Sequence, residues 1–263
     1  MDKTGIKTVI FDVHGTLIDK GGEAALQAAV KSAVTFLNCK GVRVGEESYF
    51  TIWKDNLKSW SLHLQENKEV DFYQWYKGIL DRVGIASDQN MIKELNNFWM
   101  KGFKNFTRPM AGAEKLLAAL RRKGYRLGVV SNGFACNNVL DLKRTRLYGY
   151  FSSIVISSDM GYRKPESAPF LKALTELETN PPNAVMVGDS MKEDICGAKK
   201  VGMRTVWVRG SDGLRAVTDK VLDSDAAVQS DETDETDETD VADVAVDQLE
   251  ELYLLLSAGR WPG

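Results

Sequence analysis

The sequence predicts an α/β protein, a doubly wound parallel sheet interrupted after its first strand by a helical insertion. Short apolar runs that stop at small polar or charged residues mark the strands. Helical periodicity fills the gaps between the later runs, and residues 20–108 break that alternation altogether.

The run at 8–11 is β-branched and aromatic, stops at Asp12, and is followed by Gly15 and Thr16, so it reads as a buried strand and a turn. Four more runs follow. Residues 126–130 end at Ser131-Asn132-Gly133, 153–156 at Ser157-Ser158, 184–187 at Gly188-Asp189, and 204–208 at Arg209-Gly210. Most are near-continuous rather than alternating, as expected of parallel strands covered on both faces. Helices are expected over 113–123, 169–177 and 194–201. In such sheets ligands bind beyond the carboxyl ends of the strands.

Residues 20–108 carry helical periodicity, no convincing strand, and four of the six tryptophans, Trp53, Trp60, Trp75 and Trp99. They read as a small helical domain of their own over the sheet edge. Trp53, Trp60, Tyr73, Trp75 and Tyr76 are expected mainly as its core, because aromatics at helical spacing usually pack. The sheet domain is then 1–19, 109–210 and 241–263. Residues 231–240 read DETDETDETD and can bury nothing, so 211–240 is expected to be a disordered acidic linker. Helical periodicity returns over 241–257, which predicts a last helix docked on the sheet.

Apolar residues at 43% and charged residues at 27% are ordinary for a soluble globular protein. No apolar run approaches the roughly 20 residues needed to span a bilayer. Residues 1–4 lead into the first strand without the segments of a secretory signal, so the expected location is the cytoplasm. Three dispersed cysteines, Cys39, Cys136 and Cys196, and two histidines, His14 and His63, argue against a disulfide framework or a structural zinc site. Any metal must take oxygen ligands. The net charge of −3 hides a basic body: residues 1–210 hold 31 Lys+Arg against 22 Asp+Glu, while 211–247 hold 2 against 13. Such a body favours a small anionic ligand such as a phosphate ester. No dense Lys/Arg run is interleaved with aromatics, so nucleic acid is not the expected partner.

The strand ends collect Asp12 and Thr16, then Ser131, then Lys164 a little further on, then Asp189 and Asp194. A parallel sheet brings these to one edge. Three carboxylates against one lysine would repel strongly in a cleft, which asks for a divalent cation, and magnesium suits oxygen ligands and substrate phosphate best.

Four stretches, Asp12-Val13-His14-Gly15-Thr16, Val130-Ser131-Asn132-Gly133, Lys164-Pro165 and Gly188 to Asp194, stand in the order of the motifs of the haloacid dehalogenase superfamily, and the chain resembles that family over residues 7–210. The resemblance implies a Rossmann-like core, with residues 20–108 as a helical cap of the family's first class. It implies Asp12 as the nucleophile, Lys164 as the cation holding Asp12 and the transferring group, and a phosphate-binding set of Thr16, Ser131, Asn132 and Gly133. In the phosphatase branch it implies Mg2+ held by Asp12, the His14 backbone carbonyl, Asp189 and Asp194. One position departs from that branch: the usual general acid/base aspartate is replaced by His14, which can do both jobs near neutral pH.

The expected activity is thus Mg2+-dependent hydrolysis of the phosphomonoester of a small metabolite through an aspartyl-phosphate on Asp12. A metal-free 2-haloacid dehalogenase is the alternative within the family, since Trp53-Lys54 is similar to the positions where dehalogenases grip the substrate carboxylate; Lys54 and Arg43 are equally candidates to hold a distal anion of a phosphate ester. A non-catalytic phosphate-binding or interaction protein is the alternative outside it. His63 is expected to be structural.

Overall fold

The computed structural model describes residues 5–210, 242–258 and 261. The expected acidic linker at 211–240, with its three-residue repeat, lies outside the described residues. In chain order the elements are β1 (Thr8–Phe11), β2 (Ile18–Asp19), α1 (Gly22–Cys39), α2 (Glu46–Ser59), α3 (Ser61–Gln65), α4 (Phe72–Arg82), α5 (Gln89–Gly102), β3 (Arg108–Pro109), α6 (Ala113–Arg122), β4 (Arg126–Ser131), α7 (Ala135–Arg144), β5 (Ser153–Ile156), α8 (Ser167–Glu176), β6 (Ala184–Gly188), α9 (Cys196–Lys200), β7 (Arg204–Val208), β8 (Val244–Val246) and α10 (Leu249–Ala258).

Six strands form one sheet in the order β5-β4-β1-β6-β7-β8, parallel throughout. Counted along the chain, these members lie in the doubly wound order 3-2-1-4-5-6, whose switch point falls between β1 and β6. Phe11 is in register with Val129 of β4 and with Val187 of β6, so the three carboxyl ends lie along one edge.

Successive residues of a strand face opposite sides, and both sides here are covered. Val9, Phe11, Leu127, Val129, Val185 and Val187 join a cluster with Leu116, Leu117 and Leu120 of α6 and with Leu249, Leu252 and Leu256 of α10. Ile10, Val130, Val155 and Met186 join another with Phe170, Ala173 and Leu174 of α8. This two-sided burial is why the strands read as continuous apolar runs. Each fully buried side chain of this size contributes about 1.5–3 kcal/mol.

The predicted last helix divides in two. Val244–Val246 pair with Val206–Val208 as a sixth strand, and the helix starts only at Leu249. The Asp243 carboxylate accepts from Thr205 N at 2.8 Å and from Lys199 Nζ, which fixes the strand's start. Tertiary pairing here overrides a local helical pattern. A two-residue antiparallel pair, β2 with β3, also went unread in the sequence; Arg108 donates to Asp19 Oδ2 from Nε and Nη2 at 3.0 and 2.7 Å.

Contacts separate the sheet-bearing unit from a second compact unit at Lys20–Thr107. In the second, α1 lies against α5, Trp53 stacks between Phe50 and Trp99 at 5.9 and 5.8 Å, and Tyr76 donates to Asn96 Oδ1 at 2.6 Å. Trp53 and Tyr76 are buried as expected, while Trp60, Tyr73 and Trp75 are only half-buried. No described helix is long and apolar enough to cross a membrane.

A methyl group on Gly102 would fall 2.3 Å from Ala29 Cα, an immovable backbone atom. Gly102→Ala should therefore destabilise the helical unit by about 1–3 kcal/mol, read as a lowered midpoint in urea; an unchanged midpoint would contradict this packing.

Candidate active site

Asp12 directly follows β1, and its N–H donates to Val187 O at 2.9 Å, continuing the ladder with β6. The chain then turns tightly: Leu17 N and Ile18 N both donate to Val13 O, and Gly15 takes φ 89°, a conformation only glycine adopts without cost. This loop holds the Asp12 carboxylate at the carboxyl edge of the sheet, 7% exposed.

Lys164 reaches the same edge from the segment between β5 and α8. Its ammonium, 2% exposed, donates to Asp12 Oδ1 at 2.5 Å and to Asp194 Oδ1 at 2.6 Å. Burial opposes the charge, yet Asp12, Asp194 and Glu193 together outweigh it and hold Lys164 above the ordinary lysine range.

Asp194 departs from the expected helix over 194–201. Residues Met191–Ile195 form a wide π turn in which Asp194 N and Ile195 N both donate to Ser190 O, and the α-helix begins only at Cys196. The turn folds the Asp194 carboxylate back onto the strand end, where Oδ2 accepts from Ser190 N at 2.9 Å. The carboxylate lies against Gly188, where a Cβ would meet Asp194 Cγ at 2.3 Å. Burial pushes Asp194 up to about 7, with Lys164 pulling it down and Asp12 and Asp189 pushing it further up.

Asp189, half-buried, completes the cluster. Asp12, Asp189 and Asp194 each offer a carboxylate oxygen, and these lie within 4.8 Å of one another. An all-oxygen set carrying more negative charge than one lysine balances fits a hard divalent cation. Two contacts invisible in the sequence orient Asp189: Thr16 Oγ1 donates to its Oδ1 at 3.1 Å, and Trp207 Nε1 on β7 donates to its backbone carbonyl at 3.0 Å.

The expected phosphate-binding residues divide. Ser131, 3% exposed, closes β4 beside the cluster. The Thr16 hydroxyl is engaged with Asp189. The Asn132 side chain clasps the backbone of Lys164, accepting from its N–H at 2.8 Å and donating to its carbonyl at 3.2 Å. Gly133 N–H donates to Ser157 Oγ at 2.8 Å. Thr16, Asn132 and Gly133 thus shape the site, each with a polar group committed to the protein itself. Lys54 belongs to the helical unit, where its Nζ lies 5.1 Å from the Phe50 ring centroid. His63 packs edge-on against Trp60 in that unit, with centroids 5.0 Å apart. His14 Nε2 lies 3.0 Å from Oδ2 of Asp141, a buried carboxylate on α7 that no motif signals. The only trace in the sequence is polar: Asn138 and Asp141 occupy the buried stripe of a helix where apolar residues are expected.

The fold is a parallel doubly wound core that carries an aspartate, a lysine and two further aspartates at its carboxyl edge. Residues 9–208 match the model of the haloacid dehalogenase-like hydrolase family, and the chain belongs to that family. It is 28% identical over 204 residues to a glyceraldehyde 3-phosphate phosphatase of Methanothermobacter thermautotrophicus, covering 77% of this chain and 85% of that protein. It is also 28% identical to a phosphoglycolate phosphatase of Aquifex aeolicus over 76% of this chain and 83% of the relative. Among solved structures, a 2-haloacid dehalogenase from Pseudomonas syringae pv. Tomato DC3000 superposes with a TM-score of 0.67 at 25% identity, covering 96% and 99% of the two chains.

A ligating carboxylate must be deprotonated, so a cation entering this cluster competes with the proton on Asp194. The raised value places that competition below about pH 7. Calorimetric titration should show Mg2+ affinity nearly constant above this value and falling by up to about tenfold per pH unit below it; an affinity flat from neutral to acid pH would contradict the assignment.

Proposed function

We propose that this protein is a Mg2+-dependent phosphatase that hydrolyses the phosphomonoester of a small anionic metabolite through an aspartyl-phosphate on Asp12, with His14 as general acid and base. The observation that carries the reading is the buried Asp12–Lys164–Asp194 ion-pair cluster, with Asp189 in ligand range of both carboxylates. The phosphatase relatives support the same class of reaction.

Asp12, Asp189, Asp194 and the His14 backbone carbonyl would hold the cation. When bound, it would neutralise the charge of the phosphoryl oxygens, which otherwise repel Asp12. The remaining work falls to side chains of this chain. Lys164 holds the Asp12 carboxylate in place, and its ammonium offsets charge on the transferring group. Ser131 offers a hydroxyl to a phosphoryl oxygen. An Asp12 carboxylate oxygen attacks phosphorus, the bond from phosphorus to the alcohol oxygen breaks, and that oxygen leaves with a proton from His14. In the second half a water gives a proton to His14 and attacks the same phosphorus; the Asp12–phosphorus bond breaks, releasing inorganic phosphate and restoring Asp12.

The helical unit at Lys20–Thr107 would act as the cap that selects the substrate, and the protein would work in the cytoplasm. A metal-free dehalogenase is the second reading, favoured by the similarity to a 2-haloacid dehalogenase structure and by His14 where the phosphatase branch carries aspartate. Asp189, held in ligand range by Thr16 and Trp207, weighs against it.

Asp12→Asn should abolish phosphate release while leaving the melting temperature within a few degrees; an active variant shown by mass spectrometry to retain Asn would sink the proposal. His14→Ala should slow turnover by about 10² to 10⁴, the span of general acid–base catalysis. A loss under about tenfold would assign His14 to structure.

A further inference from the structure

Asp141 is a fully buried carboxylate, 0% exposed, on the helix that leaves the Ser131-Asn132-Gly133 loop. A carboxylate at this depth is costly unless it is paired, and a buried pair seldom adds stability over an apolar replacement. Its partners are His14, with Nε2 at 3.0 Å from Oδ2, and Arg144, with Nη1 at 3.7 Å from Oδ1. His14 is 28% exposed, so one edge of the ring is held in the protein while the rest stays accessible. Nδ1 of His14 has no hydrogen-bond partner among the described residues. Asn138, one turn earlier on α7, donates to Phe134 O at 3.2 Å, and its Nδ2 lies 3.3 Å from the position of a Cβ on Gly133. The polar stripe of α7 therefore runs from the Gly133 loop to the ring of His14.

We infer that Asp141 is a positioning residue for His14: its carboxylate accepts the Nε2 proton, fixes the ring and its tautomer, and leaves Nδ1 as the nitrogen that meets the substrate. A ring nitrogen's role is set by the hydrogen bond of the other nitrogen, and a carboxylate can only accept. This is the arrangement by which a buried carboxylate orients a histidine that serves chemistry elsewhere. The inference rests on His14 being the acid and base of the proposed phosphatase.

The contact is tested apart from turnover by nitrogen-15 spectra of histidine in the full chain, with His63→Gln leaving His14 as the single signal. In spectra taken with the ring neutral, His14 should appear wholly as the Nε2–H form. Asp141→Ala should convert it to an exchange-averaged mixture; an unchanged spectrum would overturn the inference even if the protein is a phosphatase. The kinetic arm uses kcat/KM for p-nitrophenyl phosphate and phenyl phosphate with Mg2+, which reports the first half-reaction. Asp141→Ala should lower kcat/KM on phenyl phosphate, the poorer leaving group, by at least about tenfold and affect p-nitrophenyl phosphate much less. The His14→Ala/Asp141→Ala double variant should be no slower than His14→Ala, and Asp141→Glu should recover part of the loss. Equal losses on both esters, or losses that multiply in the double variant, would make Asp141 a folding residue and overturn the inference. An active Asp12→Asn protein would overturn the phosphatase reading beneath it.

Discussion

The site depends on one buried cation shared by two carboxylates. Lys164 sits between Asp12 and Asp194 with 2% of its surface exposed, and Asp189 adds a third negative group within ligand reach. In so poorly solvated a place a single ammonium faces three carboxylates, and Asp194 is pushed up first by its burial and then by Asp12 and Asp189, against the pull of Lys164. A divalent cation or a proton must make up the difference. The architecture supports this arrangement: a parallel order with its switch point between β1 and β6 brings Asp12 and Asp189 side by side, as no antiparallel hairpin would.

Around that charge centre, residues expected to bind ligand also make contacts that hold the centre together. Asn132 uses both ends of its amide on the Lys164 backbone, Thr16 holds Asp189, and Ser190 N–H and bare Gly188 seat Asp194. The proposed nucleophile, its cation and the candidate metal ligands must be held to within a fraction of an ångström to be effective, and fixed hydrogen bonds do this without reorganisation during reaction. The wide turn at Met191–Ile195 belongs to the same economy, because an uninterrupted α-helix would not return Asp194 to the strand end in this way.

Much of this was legible in the sequence because parallel strands buried on both faces leave unbroken apolar runs, and the residues just after them are placed by the sheet itself. Asp12, Ser131, Lys164, Asp189 and Asp194 could be brought together on that ground alone. What escaped was set by tertiary contact. Val244–Val246 became a strand because Val206–Val208 offered an open edge, against a local helical rhythm. Trp207 and Asp141 lie on elements whose periodicity says only that they face inward, without saying which polar atom they meet. The uses of Thr16 and Asn132 are questions of which neighbour competes for a hydroxyl or an amide, and sequence spacing carries no information on that competition.

The most direct test is to follow phosphate and halide release from a panel of phosphate esters and 2-haloacids, in Mg2+ and in EDTA, with the full-length chain. The proposed mechanism predicts phosphate release that vanishes in EDTA and returns with Mg2+. Halide release that persists in EDTA would contradict it, because the carboxylate cluster would then act without a bound cation.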